Sequence, residues 1–239
     1  MNLLLLKPEE QYSPNTARVT DPRRLRHLHD VHRARQGDTL MVGVEEGGIG
    51  RAIITELSSD AVELTFDALD QTPPAALPVH VLLALPRPRM LARTLENIAA
   101  LGVKELTLLH TARVEKSFWQ SPELSVSRIH DHLILGLEQA RDTRLPRIHM
   151  APRFRPFVED TLPNLIENRR ALLAHPGQSS ACPRQLPLDS PVTLAIGPEG
   201  GFVDYEVERL LAAGFEGIHL GERILRVETA VVALLARLF

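Results

Sequence analysis

The apolar positions divide the chain into two stretches with different periods. Up to about Asp70 they come in short runs: Leu3–Leu6, Asp38–Val44, Gly50–Leu57 and Ala61–Phe66. These runs mix apolar and β-branched residues and are broken by Gly37, Gly47-Gly48 and Ser58-Ser59-Asp60. Short strands at this spacing predict a small β-barrel. Arg23–Arg35 interrupts them as a predicted helix. Gln71-Thr72-Pro73-Pro74-Ala75-Ala76 then reads as a linker, because two adjacent prolines disfavour helix. The predicted boundary separates residues 1–72 from 73–239.

Beyond the linker the period changes. Strands are predicted at Val79–Leu85, Glu105–His110, Ile148–Ala151, Ala171–Ala174, Val192–Ile196 and Gly217–Leu220. Helices are predicted at Met90–Leu101, Ile129–Arg141, Phe157–Asn168, Tyr205–Ala213 and Glu228–Leu238. Alternation of this kind predicts an α/β domain, a parallel sheet covered on both faces.

Composition narrows the setting. The chain has 239 residues, 44% hydrophobic and 24% charged, which supports one or two globular domains. One cysteine, Cys182, precludes an internal disulfide and points to a reducing, cytoplasmic compartment. The leading apolar run is too short for a signal peptide, and no stretch approaches the roughly 18–20 apolar residues of a membrane span. No metal site is signalled.

Net charge is −3, yet it is unevenly spread. Arg18, Arg23, Arg24, Arg26, Arg33 and Arg35, with His27, His29 and His32, face only Asp21 and Asp30 over Arg18–Arg35. A local basic patch is the footprint that RNA requires; a solvated basic helix is the plainer alternative. Arg87 and Arg89, held by Pro86 and Pro88 at a strand end, are placed for phosphate contact.

Ligands of parallel α/β sheets sit beyond the carboxyl ends of the strands. Three such ends are unusual here. His175-Pro176-Gly177 follows one strand. Ile196-Gly197-Pro198-Glu199-Gly200-Gly201-Phe202 joins a strand to a helix. Its glycines allow positive φ and close backbone approach. A carboxylate at a helix mouth repels phosphate and suits a positive sulfonium, and no lysine of a phosphate loop follows. Leu220-Gly221-Glu222-Arg223-Ile224-Leu225-Arg226-Val227-Glu228-Thr229-Ala230 leads into a C-terminal helix that is apolar on most faces, so it is expected to be buried. Its charges then require partners or a ligand; paired charges holding a helix end are the alternative to a site.

The order HPG, IGPEGGF, LGxRILRxETA resembles the C-terminal half of the ribosomal-RNA uridine-N3 methyltransferases, of the SPOUT class of knotted enzymes. The resemblance covers nearly the whole chain. Glu138-Gln139, Arg144 and Pro146 match a further stretch of that family in part. Departures are Val31-His32-Arg33, Arg141-Asp142, Asn97 and Val227, which touch RNA-facing positions and leave the cofactor loops intact.

The resemblance implies a PUA-like RNA-binding barrel, a C-terminal trefoil knot, a homodimer, S-adenosylmethionine as cofactor and 16S ribosomal RNA, within the small subunit, as partner. It implies a cofactor site built from Ala174, His175, Pro176 and Gly177; Ile196, Gly197, Pro198, Glu199 and Gly201; and Leu220, Gly221, Ile224, Leu225, Thr229 and Ala230. RNA contacts are expected from Arg18, Arg23, Arg24, Arg26, Arg33, Arg87, Arg89 and Arg144. Arg226 and Arg223 are the cations expected to stabilise a uracil anion. Glu228 is expected to orient an arginine rather than act as base, since a nearby arginine lowers carboxylate basicity. Rival readings are a knotted methyltransferase acting on another base or a ribose 2′-hydroxyl, and a non-catalytic RNA-binding assembly factor. A phosphate-binding nucleotide enzyme is disfavoured by Glu199.

Overall fold

The computed structural model describes residues 2–239 and divides into two compact units. One holds the chain up to Ala75 together with Ile134–Leu145; the other holds Ala76–Leu133 and Pro146–Phe239.

The first unit is a six-stranded sheet in the order β1-β4-β5-β6-β3-β2. Its strands are β1 (Leu4–Leu6), β2 (Gln11–Ser13), β3 (Thr16–Val19), β4 (Thr39–Val44), β5 (Ile49–Leu57) and β6 (Val62–Phe66). All its pairings are antiparallel except β1 with β4. No ladder among the described residues joins β1 to β2, so the predicted barrel is an open sheet. The β2–β3 hairpin was not legible in the pattern, because most of its residues are polar. Its buried members, Ala17 and Val19, join Leu4, Leu6, Val42, Ile54 and Leu64 in one core. The predicted Arg23–Arg35 helix is α1 (Pro22–Arg26), which widens into a π-helical turn at His27–His32. Asp21 caps it by accepting the Arg24 amide at 2.8 Å. It ends at Arg33, which is left-handed at φ 51°.

Residues 134–145 belong with this unit for a visible reason. Asp142 Oδ1 accepts the amides of Thr143 and Arg144 at 2.7 and 3.0 Å. The Thr143 carbonyl accepts the Glu46 amide, and Glu46 Oε1 in turn accepts the Leu145 amide at 2.7 Å. The turn is thus stitched to the β4–β5 connection. Asp142 is the residue that shapes it.

The second unit is a seven-stranded, all-parallel sheet in the order β11-β13-β10-β12-β7-β8-β9. Its strands are β7 (Val79–Ala84), β8 (Glu105–Leu109), β9 (Arg147–Ala151), β10 (Arg170–Ala174), β11 (Ser180–Ala181), β12 (Val192–Ile196) and β13 (Glu216–His219). β7 and β12 are buried at every position, as strands covered on both faces must be. On one face Leu82, Leu109, Leu173 and Ala195 pack against Phe157, Leu162 and Leu210. Those residues come from the broken helix α4 (Phe154–Pro156), π-turn Phe157–Thr161 and α5 (Leu162–Ile166), and from α6 (Asp204–Ala212). On the other face α2 (Pro88–Ala100) packs against α7 (Val227–Leu238). The remaining helix, α3 (Val126–Ala140), runs from the second unit into the segment held by the first.

The C-terminal helix corrects one expectation. α7 buries Val227, Val231, Leu234, Leu235 and Leu238, but Val232 and Ala236 on another face are exposed. Only one stripe of this apolar helix is covered within the chain.

Candidate functional site

Parallel register brings the three unusual loops together. Ala174 of β10 is level with Ile196 of β12 and with Ile218 of β13, so the three strands end within one residue of each other. The loops that leave them enclose a cavity of about 330 Å³. From the first loop come Ala174, His175 and Pro176; from the second, Ile196, Gly197, Pro198, Glu199, Gly200 and Gly201. The third gives Leu220, Gly221, Arg223, Ile224 and Leu225, and α7 adds Val227, Ala230 and Leu234. Of the residues expected to hold the cofactor, Gly177 and Thr229 do not line it. Gly200, in the glycine loop expected to lie against the cofactor, lines it too, whereas Ile218, His219, Val227 and Leu234 line it and were not anticipated. Ile218 and His219 lead directly into the expected Leu220; Val227 and Leu234 follow from the helical turn that carries Ala230 inward.

The lining is apolar and backbone-rich, as a small-molecule pocket requires. Gly201 adopts φ +73°, a left-handed conformation that a β-branched residue resists. A Cβ there would sit 3.5 Å from His175 Cε1, so the second loop lies close against the first. Gly221, at φ +123°, has nothing within 4 Å of where its Cβ would be. Burial, and then the Arg113 guanidinium, hold the His175 pKa below the ordinary imidazole value, with Asp204 opposing them.

The helix-mouth reading of Glu199 is corrected. α6 begins only at Asp204, and its N-terminus is closed by its own Glu206, whose Oε2 accepts the Val203 amide at 3.1 Å. Glu199 lies earlier, at the exposed rim of the cavity, and accepts a long bond from the Arg87 amide at 3.4 Å. Its charge therefore faces the cavity without a helix dipole behind it.

The charges of the third loop are also not where they were expected. Glu222, Arg223 and Arg226 are exposed, and none of them, nor Glu228, makes an ion pair among the described residues. Arg223 borders the cavity, whereas Arg226 and Glu228 lie beside it, at the N-cap and first turn of α7. The alternative of an Arg226–Glu228 pair holding the helix end is not what the structure contains.

Among the expected RNA contacts, Arg24 is a correction. It is 4% exposed. It donates to both carboxylate oxygens of Glu10 and to the Leu5 carbonyl at 2.9 Å, which leaves it nothing to offer a phosphate. Arg144 is likewise engaged, donating to the carbonyls of Pro73 and Pro74 at 3.0 Å each. Arg23 pairs with Glu138 at 3.0 Å, and Arg18 with Glu63 at 3.4 Å, though both arginines keep an exposed side. Burial raises the Glu138 pKa while Arg23 opposes it. Arg26 and Arg33 in the first unit, and Arg87 and Arg89 in the second, are exposed and without ion pairs among the described residues.

Comparison with known proteins agrees with this geometry. The chain is 31% identical over 98% of its length to the ribosomal RNA small subunit methyltransferase E of Treponema pallidum, covering 88% of that protein. It is 29% identical over 98% of its length to the protein of the same name from Synechocystis, covering 76% of it. A methyltransferase from Legionella pneumophila, solved with the bound cofactor S-adenosylmethionine, superposes with a TM-score of 0.74 at 25% identity. The match covers 98% of this chain and 95% of that one. A family model described as the RNA methyltransferase domain matches residues 73–239, the whole of the strand-end cavity included. The chain belongs to the RNA methyltransferase domain family.

Proposed function

We propose that the protein is an S-adenosylmethionine-dependent methyltransferase of ribosomal RNA, and that its target is N3 of a uridine in 16S RNA. The observation that carries the reading is the cavity where three strands end within one residue of each other and three glycine-bearing loops meet. The curated relatives are named for methylation of small-subunit ribosomal RNA, and a structural neighbour holds S-adenosylmethionine.

The cavity fits that cofactor. It offers backbone and apolar surface to an adenosyl group, and the open space at Gly221 is where a side chain would intrude. His175–Pro176, Ile196–Gly201 and Leu220–Leu225 would hold it. Once bound, it supplies an electrophilic methyl group. The chain must supply the rest. Uracil N3 carries a proton and is a poor nucleophile until that proton leaves, so the site needs a charge that stabilises the uracil anion. Arg223, at the cavity's border, and Arg226, beside it, make no ion pair among the described residues and are available for that task. A guanidinium can give two hydrogen bonds to carbonyl oxygens and stays charged at physiological pH. Glu228, one residue into α7, orients an arginine when substrate is in place.

The other parts of the reading have their own supports. The exposed α7 face that carries Val232, together with the 80%-exposed Ile224 of the loop before it, offers apolar surface that a homodimer would cover. A knot is consistent with the late strand β13 lying in the sheet between the earlier strands β10 and β11. The six-stranded first unit stands as a PUA-like module, with exposed Arg26 and Arg33 toward RNA. The sole thiol, Cys182, is buried and unbridged, as a cytoplasmic protein allows.

Deleting the gene, mapping the lost nucleoside by mass spectrometry, and restoring it with pure protein and S-adenosylmethionine tests the whole reading. Restoration of N3-methyluridine in 16S RNA is expected. A restored 2′-O-methyl group or a different methylated base would overturn the N3 assignment and leave the methyltransferase reading intact. Gly201→Val should leave a folded protein that no longer binds S-adenosylmethionine in calorimetry. Unchanged affinity would displace the cofactor from this loop.

A further inference from the structure

Arg113 lies in the connection after β8, outside the three loops that form the cavity, and has no role in the reading given so far. We propose that Arg113 is a positioning residue for S-adenosylmethionine: laid across Gly200, it holds the carbonyls of the glycine loop and fixes the wall against which the cofactor binds. The inference rests on the cofactor reading of that cavity.

Four contacts carry it. Arg113 Nη1 donates to the Gly200 carbonyl and lies 3.5 Å from the Gly201 carbonyl. The preceding residue makes a second tie, since the Ala112 amide donates to Glu206 Oε1 at 2.7 Å. Glu206 is itself buried and accepts the Val203 amide through its other oxygen. Consecutive residues of one loop thus grip both ends of the segment from Gly200 to Glu206. Gly200 and Gly201 line the cavity, so the grip acts on its wall.

The glycines show how close the fit is. A Cβ on Gly200 would lie 2.9 Å from Arg113 Cδ. Gly200 has no positive φ, so what a Cβ there would disturb is the Arg113 side chain, which would have to shift, rather than the backbone angle. A Cβ on Gly201 would have His175 Cε1 at 3.5 Å on one side and Arg113 Nη1 at 3.8 Å on the other. Arg113 also contributes to the lowered basicity of His175, as expected of a cation close to that ring. A glycine-rich turn leaves its carbonyls short of partners and its backbone loose; one charged donor on them removes both faults.

The test uses the full chain as wild type, Arg113→Ala, Arg113→Lys, Gly200→Ala and the Gly200→Ala/Arg113→Ala double variant. Amide hydrogen exchange is followed without cofactor, and S-adenosylmethionine affinity is measured by calorimetry. Arg113→Ala should speed exchange at residues 200–203 while the β7 amides stay protected, and should raise Kd about tenfold, the loss of one charged hydrogen bond. Arg113→Lys should lie between it and wild type. Gly200→Ala should weaken binding by pushing the arginine aside, so adding Arg113→Ala to it should cost nothing further. Wild-type binding with unchanged Kd and loop exchange in Arg113→Ala overturns this inference alone, as does additivity in the double variant. A wild-type protein that fails to bind S-adenosylmethionine overturns the cofactor reading and this inference with it.

Discussion

The Arg18–Arg35 stretch of the first unit and the 221–230 stretch of the second are both rich in arginine, and the fold treats them in opposite ways. In the first, three of the six arginines, which look free along the chain, are taken up by carboxylates from elsewhere. Arg24 is enclosed by Glu10 and the Leu5 carbonyl, Arg23 meets Glu138, and Arg18 meets Glu63. In the second, charges directly before an apolar helix look buried and in need of partners, yet they stand exposed and without ion pairs among the described residues. Local charge density therefore does not tell which arginine is structural and which is free to act. That depends on what lies opposite in three dimensions, and a carboxylate distant in sequence decides it.

The largest effect that would sharpen this contrast is on stability. Truncating one partner of a buried, hydrogen-bonded ion pair costs about 3–5 kcal/mol, because the other charge stays buried alone. Arg24→Ala should lose roughly that amount in urea unfolding. A loss within about 0.5 kcal/mol, the range of ordinary surface changes, would mean that Arg24 is no more structural than its neighbours.

Next comes a kinetic effect with no stability counterpart. Removing one preorganised donor to a developing anion lowers rates by about 10²–10³ in other enzymes. Arg226→Ala should lower single-turnover methylation by about that factor, with S-adenosylmethionine affinity and unfolding midpoint unchanged. Arg226→Lys should restore only part, since an ammonium lacks the planar fork. Near-normal turnover with a lowered midpoint would break the contrast, placing Arg226 among the structural arginines.

A cation-forming group at the opposite end of the same sheet gives a third effect. His80 of β7 is buried, with Nε2 2.8 Å from Thr107 Oγ1, and burial lowers its pKa to about 4. The unfolded chain takes up a proton near pH 6.5 and the folded chain resists it until about pH 4, so His80 costs no stability at pH 7 and an increasing amount as pH falls between those values. The expected loss by pH 4.5 is about 2–3 kcal/mol. His80→Gln should remove that part of the acid sensitivity, and an unchanged pH dependence would show that another group controls it.

The smallest effect is on RNA. Arg33→Ala should leave stability unchanged and flatten the salt dependence of RNA binding by about one phosphate's worth of slope. An Arg18→Ala variant should do less, because Glu63 already holds that side chain. Equal effects at the two positions would mean that the Glu63 pair opens on RNA.

The sequence by itself determined the α/β class of the second unit, because strands buried on both faces and amphipathic helices leave periods of their own. It also determined which three loops would form the cavity, since glycines and prolines at strand ends mark where backbone must turn close to a ligand. Its motifs were local, and local patterns survive folding. Only the tertiary structure decided the rest. It folded the polar β2–β3 hairpin against the core through Ala17 and Val19, it assigned residues 134–145 to the first unit through Asp142 and Glu46, and it buried Arg24. It left the α7 face that carries Val232 and Ala236 exposed and brought Arg113 to Gly200 from a loop 87 residues away. Each of these depends on a pairing between distant positions, and the energy of a pair is a property of neither residue alone.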